Sequence, residues 1–371
     1  GISVAQDLAK LMSSLEANIT LIEKQSRMHH AVGSLRGICD PNFQPKIFVP
    51  YEKALPQPHA NLLEGIASRI EKNQVTVQVL RDGLPTGEEK IVQFDYLIVA
   101  TGSSYPSPIK FNGEGFTNQA EIDESFNRTR EALRAAGTCL VIGGGAVGVE
   151  MAAEIRDAYP EKKVILLDGN KELLAHQTVT SKFRRKLLKA LQKMEVDVRL
   201  GDALIDRLHE HGLSRKSLKT TSGADIDSDV QFCCAGARPN TAIMETLDPS
   251  VLTKTRAVRV KANFQVGNAA YSHIYVIGDA SNHPTPKLAF WGKKQANFLA
   301  KNLSAHIKSN GKIEMKDYDY GGTEAILVPL GKTGGVGQLP LLGGTTVGNF
   351  VTRKIKSEDL FTAKYWSQLN A

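Results

Sequence analysis

The chain has 371 residues, 42% of them hydrophobic, with 32 glycines; this is enough for two or three domains of α/β type with Gly-rich turns. No run of about 18 apolar residues occurs, which excludes a spanning helix; Cys39, Cys139, Cys233 and Cys234 form no CxxC pair, which excludes a disulfide framework and suits a reducing compartment. The net charge of +7 is spread along the chain and reads as general solubility plus attraction for an anionic cofactor, with a membrane surface or nucleic acid left as alternatives.

In chain order, the sequence opens GISVAQDLAK, a helical pattern directly behind Gly1. ANITLIEK follows as an alternating strand ending in the acid Glu23. DYLIVATG (95–102) is an apolar strand bracketed by an acid and a glycine. CLVIGGGAVGVEMAAEI (139–155) is the clearest chemical signal: a strand, then Gly143, Gly145 and Gly148, then a helix. These glycines serve a tight turn, close backbone approach to a pyrophosphate, and close packing of helix on strand, while the helix N-terminus offers free amides to phosphate. KKVILLD ends in Asp168, twenty residues beyond Gly148, where a ribose hydroxyl would be bound. DVQFCCAG (229–236) repeats the acid–strand–glycine bracket of 95–102. HIYVIGDA (273–280) is a buried strand ending in Gly278-Asp279, and a helix follows from about 288 to 306. Beyond it, ILVPLGKTGGVGQLPLLGGTTVGNFV reads as a hairpin or extended pieces, and RKIKSEDLFTAKYW as a short basic amphipathic helix.

These segments form a repeat. Ala5 and Leu8 follow Gly1 at the offsets at which Ala152 and Ile155 follow Gly148, and Glu23 stands where Asp168 stands in the second copy. The opening therefore reads as the first helix of a second βαβ unit, whose strand and first two glycines would lie upstream. Two Rossmann-like halves imply two dinucleotides. The economical chemistry is a hydride passed from a nicotinamide to a flavin whose ring the protein holds against it. Asp279, at a strand end, suits a hydrogen bond to a flavin ribityl hydroxyl; a plain turn is the alternative.

Together these residues resemble the two-dinucleotide-binding flavoproteins of the pyridine nucleotide-disulfide oxidoreductase superfamily, with Ala100-Thr101-Gly102 and Gly278-Asp279 as its usual marks. MHHAVGSLRG (28–37), KIFVPYEKAL (46–55), TPKLAFWGKKQAN (285–297) and RKIKSEDLF (353–361) extend the likeness to apoptosis-inducing-factor homologues of the AMID or ferroptosis-suppressor type. The resemblance implies an α/β fold of two Rossmann-like three-layer domains, the second inserted in the first, plus a small C-terminal domain. It divides the chain into 1–112 with 252–305 for FAD, 113–251 for NADH or NADPH, and 306–371 for quinone, membrane or dimer contacts. It implies an NAD(P)H:quinone oxidoreductase, cytoplasmic with peripheral membrane association or mitochondrial. A homodimer is open, and a redox-sensing or DNA-associating flavoprotein is the alternative function.

By the same resemblance, Gly1, Glu23, Arg36, Thr101, Gly102, Gly278 and Asp279 line FAD, and Gly143, Gly145, Gly148 and Asp168 face the nicotinamide dinucleotide. Glu150 is the candidate to position a ribose or relay a proton, against a solvated helix acid. Lys287 is the candidate to bond the flavin edge, against a surface lysine. No CxxxxC follows the first fingerprint, so a dithiol relay is not expected. His29-His30 lacks metal spacing and is left between a flavin or quinone contact and loop polarity. No metal is expected. Asp168 leans toward NADH because a carboxylate repels a 2′-phosphate, with Lys162 and Lys171 near in sequence.

Overall fold

The computed structural model describes residues 1–111, 117–321, 325–341 and 344–371. The expected domain boundary at 112 lies outside them. Helix α1 (Ile2–Leu11) turns Val4, Ala5, Leu8 and Ala9 inward, the helical spacing of its apolar residues. Strand β1 (Ile19–Glu23) follows, and β2 (Arg27–His29) and β3 (Phe48–Pro50) form an antiparallel pair around the short helix α2 (Ser34–Cys39). The long strands β4 (Ala60–Ile70), β5 (Gln74–Arg81) and β6 (Leu84–Gln93) make an antiparallel meander whose first strand pairs parallel with β1, Ile19 opposite Ala60. Strands β7 (Leu97–Val99) and β8 (Ser103–Ser104) close this part of the chain.

Helix α3 (Gln119–Ala135), N-capped by Asn118 accepting from the Glu121 N–H, leads into the second half. There β9 (Thr138–Ile142), α4 (Ala146–Ala158), β10 (Lys163–Asp168), α5 (Ser181–Lys193) and β11 (Val196–Leu200) alternate. A hairpin of β12 (Lys216–Lys219) and β13 (Asp225–Ser228) and then β14 (Val230–Cys233) complete it. The sheet order is β11-β10-β9-β14, all parallel. Parallel strands carry crossover helices and so lose solvent on both faces, which explains the unbroken buried runs 139–141, 164–167 and 230–233. Phe183, Leu187 and Leu191 of α5 and Val149, Ala152 and Ala153 of α4 belong to the core on one side. Leu218 and Ile226 of the hairpin pack on Leu140, Ile165 and Leu167 on the other. This half therefore has three layers.

Strand β15 (Arg238–Pro239) pairs antiparallel with β8, and after the short helix α6 (Met244–Leu247) the chain returns to the first half. Strand β16 (Ile274–Val276) pairs parallel with β7, Ile274 opposite Leu97. Helix α7 (Ala289–Lys308) then lays Ala296, Leu299, Ala300 and Leu303 against Val4 and Leu8 of α1. The last part is a cap. Strands β17 (Ile326–Leu330), β18 (Gly334–Leu339) and β19 (Thr345–Val347) form an antiparallel sheet, followed by α8 (Asn349–Thr352) and α9 (Thr362–Gln368). The single amphipathic helix expected over 353–366 is corrected. Leu360 and Phe361 both take positive φ, 51° and 65°, because Leu360 is buried and its carbonyl is held 2.6 Å from His30 Nε2. Helix α9 begins only after that break.

Candidate functional site

The second half builds its site from one strand-loop-helix turn. Gly143 has φ +117°, which few side chains tolerate, and its N–H donates to the Leu167 carbonyl at 2.8 Å. A Cβ on Gly148 would lie 1.8 Å from the Gly143 carbonyl oxygen, so only glycine lets α4 start this close to β9. A Cβ on Gly145 would meet nothing within 4 Å. The three glycines therefore do three different things, and Gly145 leaves open space in front of the amides that begin α4. Asp168, at the end of β10, accepts from the Gly144 N–H and, through its other oxygen, from the Asn170 N–H at 2.6 Å. Its carboxylate closes the glycine loop.

The first half assembles a comparable cradle from distant segments. Gly1, Ala100, Gly102, Gly278 and Gly292 line a cavity of about 180 Å³, and a Cβ on Gly102, Gly278 or Gly292 would meet no atom within 4 Å. Bare backbone surrounding open space is what a pyrophosphate needs, so the residues present fit a second dinucleotide. Around it, Asp279 accepts from Ser103 Oγ at 2.6 Å and from Lys110 Nζ at 3.3 Å. Thr101 Oγ1 donates to the Asn240 carbonyl at 2.5 Å, tying the cradle to the residues after β15. Glu23 accepts from the Gln25 N–H at 3.2 Å, and burial raises its carboxyl above the usual range. Tyr365 of α9 also lines the cavity, so the cap reaches this site.

The two candidate catalytic residues have partners that the sequence did not reveal. Glu150, in the first turns of α4, is not a solvated acid. It is buried, and Lys356 of the cap lies 3.0 Å from its Oε1 while also donating to the Leu327 carbonyl at 3.0 Å. Burial raises the Glu150 carboxyl and the ammonium draws it back down. Lys287 Nζ donates to the carbonyls of Ser281 and His283, each at 2.9 Å, and to that of Gly278 at 3.3 Å. Its ammonium is thus engaged in pinning the Gly278-Asp279 turn instead of reaching for a flavin edge, and burial lowers its pKa.

Arg36 requires a correction. It does not line the first cradle: its side chain is 1% exposed, and its guanidinium grips Glu154 of α4 at 2.8 Å and the carbonyls of Ser357 and Gly331 at 2.7 and 3.2 Å. Buried charge is tolerated only when paired in this way, and Arg36 is consumed as the joint of first half, second half and cap. His29 stacks on Phe48 at 5.0 Å and bonds Ser34 Oγ at 2.7 Å, and His30 packs on Tyr365 at 4.4 Å. Burial lowers them to about 3 and about 4, so both are neutral packing groups. Among the described residues no cluster of His, Cys, Asp and Glu suits a metal ion. All four cysteines are buried free thiols. Burial pushes Cys139 up to about 12 and Cys233 to about 11, with Cys39 and Cys234 raised as well.

A family model described as pyridine nucleotide-disulphide oxidoreductase matches residues 1–296. The chain belongs to the pyridine nucleotide-disulphide oxidoreductase family. Ferroptosis suppressor protein 1 of Homo sapiens is 30% identical over 366 residues, covering 97% of this chain and 92% of that protein. Apoptosis-inducing factor homolog B of Dictyostelium discoideum is 28% identical over 381 residues, with 98% and 94% covered. Among solved structures, the sulfide:quinone oxidoreductase of the hyperthermophilic bacterium Aquifex aeolicus shares the fold with a TM-score of 0.74 at 16% identity, over 100% of this chain and 89% of that one. As a member of this family, the protein is an FAD-dependent NAD(P)H oxidoreductase.

Proposed function

We propose that the protein passes reducing equivalents from NADH or NADPH, through FAD, to a quinone such as ubiquinone. In this reading residues 1–112 and 252–305 hold FAD in the cradle of Gly1, Gly102 and Gly278. Residues 113–251 hold the nicotinamide dinucleotide at Gly143, Gly145, Gly148 and Asp168, and 306–371 close over both. When bound, FAD supplies the two-electron carrier between donor and acceptor. The family's dithiol route has no support in this chain, since every cysteine is buried and its thiolate disfavoured.

The observation that carries the proposal is the Glu150–Lys356 pair. Reducing a quinone to a quinol with one NADH takes up one proton beyond the hydride, and a closed site must deliver it from a protein group. Glu150 Oε1 and Lys356 Nζ share a proton-bearing contact where the cap meets α4. Burial makes the carboxyl hold its proton more readily than a surface glutamate would. Asp168 places negative charge beside the ribose position, which favours NADH over a donor with a 2′-phosphate.

Stopped-flow spectroscopy of the FAD-loaded protein tests this. NADH should bleach the flavin, and a water-soluble ubiquinone should restore it rapidly. Glu150→Gln should slow the quinone-dependent phase roughly tenfold to a hundredfold and leave bleaching comparatively fast. Reoxidation no faster with quinone than with buffer alone would sink the proposal.

A further inference from the structure

Helix α5 carries a feature that neither cradle uses. Lys182, Arg185, Lys186, Lys189 and Lys193 recur at intervals of three and four, so they form one stripe roughly 16 Å long. All five are exposed, and none has an ion-pair partner among the described residues. The neighbouring acids are already taken: Glu172 pairs with Arg184, Glu195 with Arg156, and Asp197 with Arg199. The opposite face of the helix, Phe183, Leu187 and Leu191, is buried. A solvated helix gains from mixing signs at these spacings; this one stacks five like charges in a chain whose whole net charge is +7.

The stripe continues onto the cap. The Thr180 N–H, at the start of α5, donates to Gln338 Oε1 at 2.8 Å, and Gln338 Nε2 donates back to the Thr178 carbonyl at 3.2 Å. Lys186 Nζ lies 2.9 Å from where a Cβ on Gly348 would stand. Two residues on, Phe350 is 76% exposed, and Leu341, in the connection from β18 to β19, is 58% exposed.

We propose that α5 together with Leu341 and Phe350 of the cap is a docking surface for a bilayer containing anionic phospholipid. Unpaired lysines and arginines attract the anionic headgroups, and their stems and the two exposed apolar side chains enter the headgroup boundary. Nucleic acid would satisfy the cations but would leave Leu341 without a role. This surface rests on the quinone reading for its purpose, since a lipid-soluble acceptor resides in the bilayer, and is independent of it for its test.

The test is sedimentation of the purified protein with vesicles of phosphatidylcholine alone or mixed with phosphatidylserine. Binding is expected to the mixed vesicles, falling steeply as salt screens the charges. Replacing Lys182, Arg185 and Lys189 with Gln should weaken it roughly a hundredfold, and Phe350→Ser roughly tenfold. Both variants should keep the wild-type flavin spectrum and the wild-type rate with water-soluble quinone. Equal binding to both vesicle types, binding to neither, or unchanged binding by the triple variant overturns the proposal. Retention on duplex DNA that mixed vesicles fail to compete away also overturns it, in favour of nucleic acid. A wild-type protein that sediments with the mixed vesicles but ignores quinone supports this surface and defeats the quinone reading.

Discussion

The two dinucleotide halves surround comparable cradles with glycine backbone. In the second half, the glycine turn, the strand before it and the helix behind it occupy residues 138–158, and β9 sits inside the sheet between β10 and β14. In the first half, β1 pairs with β4 and β7 with β16. That cradle is gathered from Gly1, from Ala100 and Gly102, and from Gly278 and Gly292. One site is a local turn that its own sequence dictates. At the other, α1 is seated on α7 and Lys287 pins the Gly278 turn. Glycine spacing reports the second half's site; the repeat, with Gly102 and Gly278-Asp279, reports the first half's.

Breaking the joint between the halves should have the largest effect. Arg36→Met leaves the Glu154 carboxylate buried without its partner, which costs about 3–5 kcal/mol. Combining it with Glu154→Leu should recover a large part of that in denaturant titrations. A loss below about 1 kcal/mol in the single variant would mean that the halves are not coupled there. Next comes Gly148→Ala, where the new Cβ would collide with the Gly143 carbonyl. Shifting α4 should cost about 1–3 kcal/mol and weaken NADH binding by calorimetry, with FAD retained. The reciprocal change, Gly102→Ala, meets open space but a φ of +71°. It should cost only about 1 kcal/mol and show itself as faster FAD loss on dilution.

The mildest change is in pH dependence. His29 and His30 of the first half are held at about 3 and about 4, and His211 of the second at about 4, all by burial. Below the ordinary histidine value of about 6.5, the unfolded chain therefore binds protons that the folded chain refuses. Their contribution is complete above that pH and is lost as pH falls toward the folded values. The buried carboxyls of Glu23, Glu150 and Glu154 are shifted upward and act with the opposite sign, so a difference between variants is the clean measurement. His29→Phe should make the acid slope of stability shallower by about one proton. An unchanged slope would show that His29 is hydrated in the folded protein.

Much of this architecture was legible in the sequence. The strands ending at Asp168, Cys233 and Val276 and the helix behind Gly148 stand where alternation, apolar runs and glycine spacing put them. What escaped is tertiary pairing. The motif around Arg36 suggests a cofactor contact, but local sequence does not say that an acid 118 residues away claims it. Glu150 and Glu154 stand four apart on a helix whose other residues around them are Val, Met and Ala. That pattern signals two buried acids in want of cations; it does not say that Arg36 and Lys356 supply them. The tail misled for a related reason. Its amphipathic period is real, but the Leu360 carbonyl accepting from the His30 ring breaks the helix, and no local propensity reports such a contact.

The Arg36 joint also sets an order of events during synthesis. The ribosome delivers the guanidinium first, Glu154 more than a hundred residues later, and the Gly331 and Ser357 carbonyls last. Until then a charge destined for the interior must stay wet, and the seam it fills must stay open. A nascent chain released before the cap emerges would carry both glycine cradles but lack the carbonyls that complete the seam around Arg36. Its half-built interior would be a natural mark for a quality-control protease, although the glycines of both cradles were already in place.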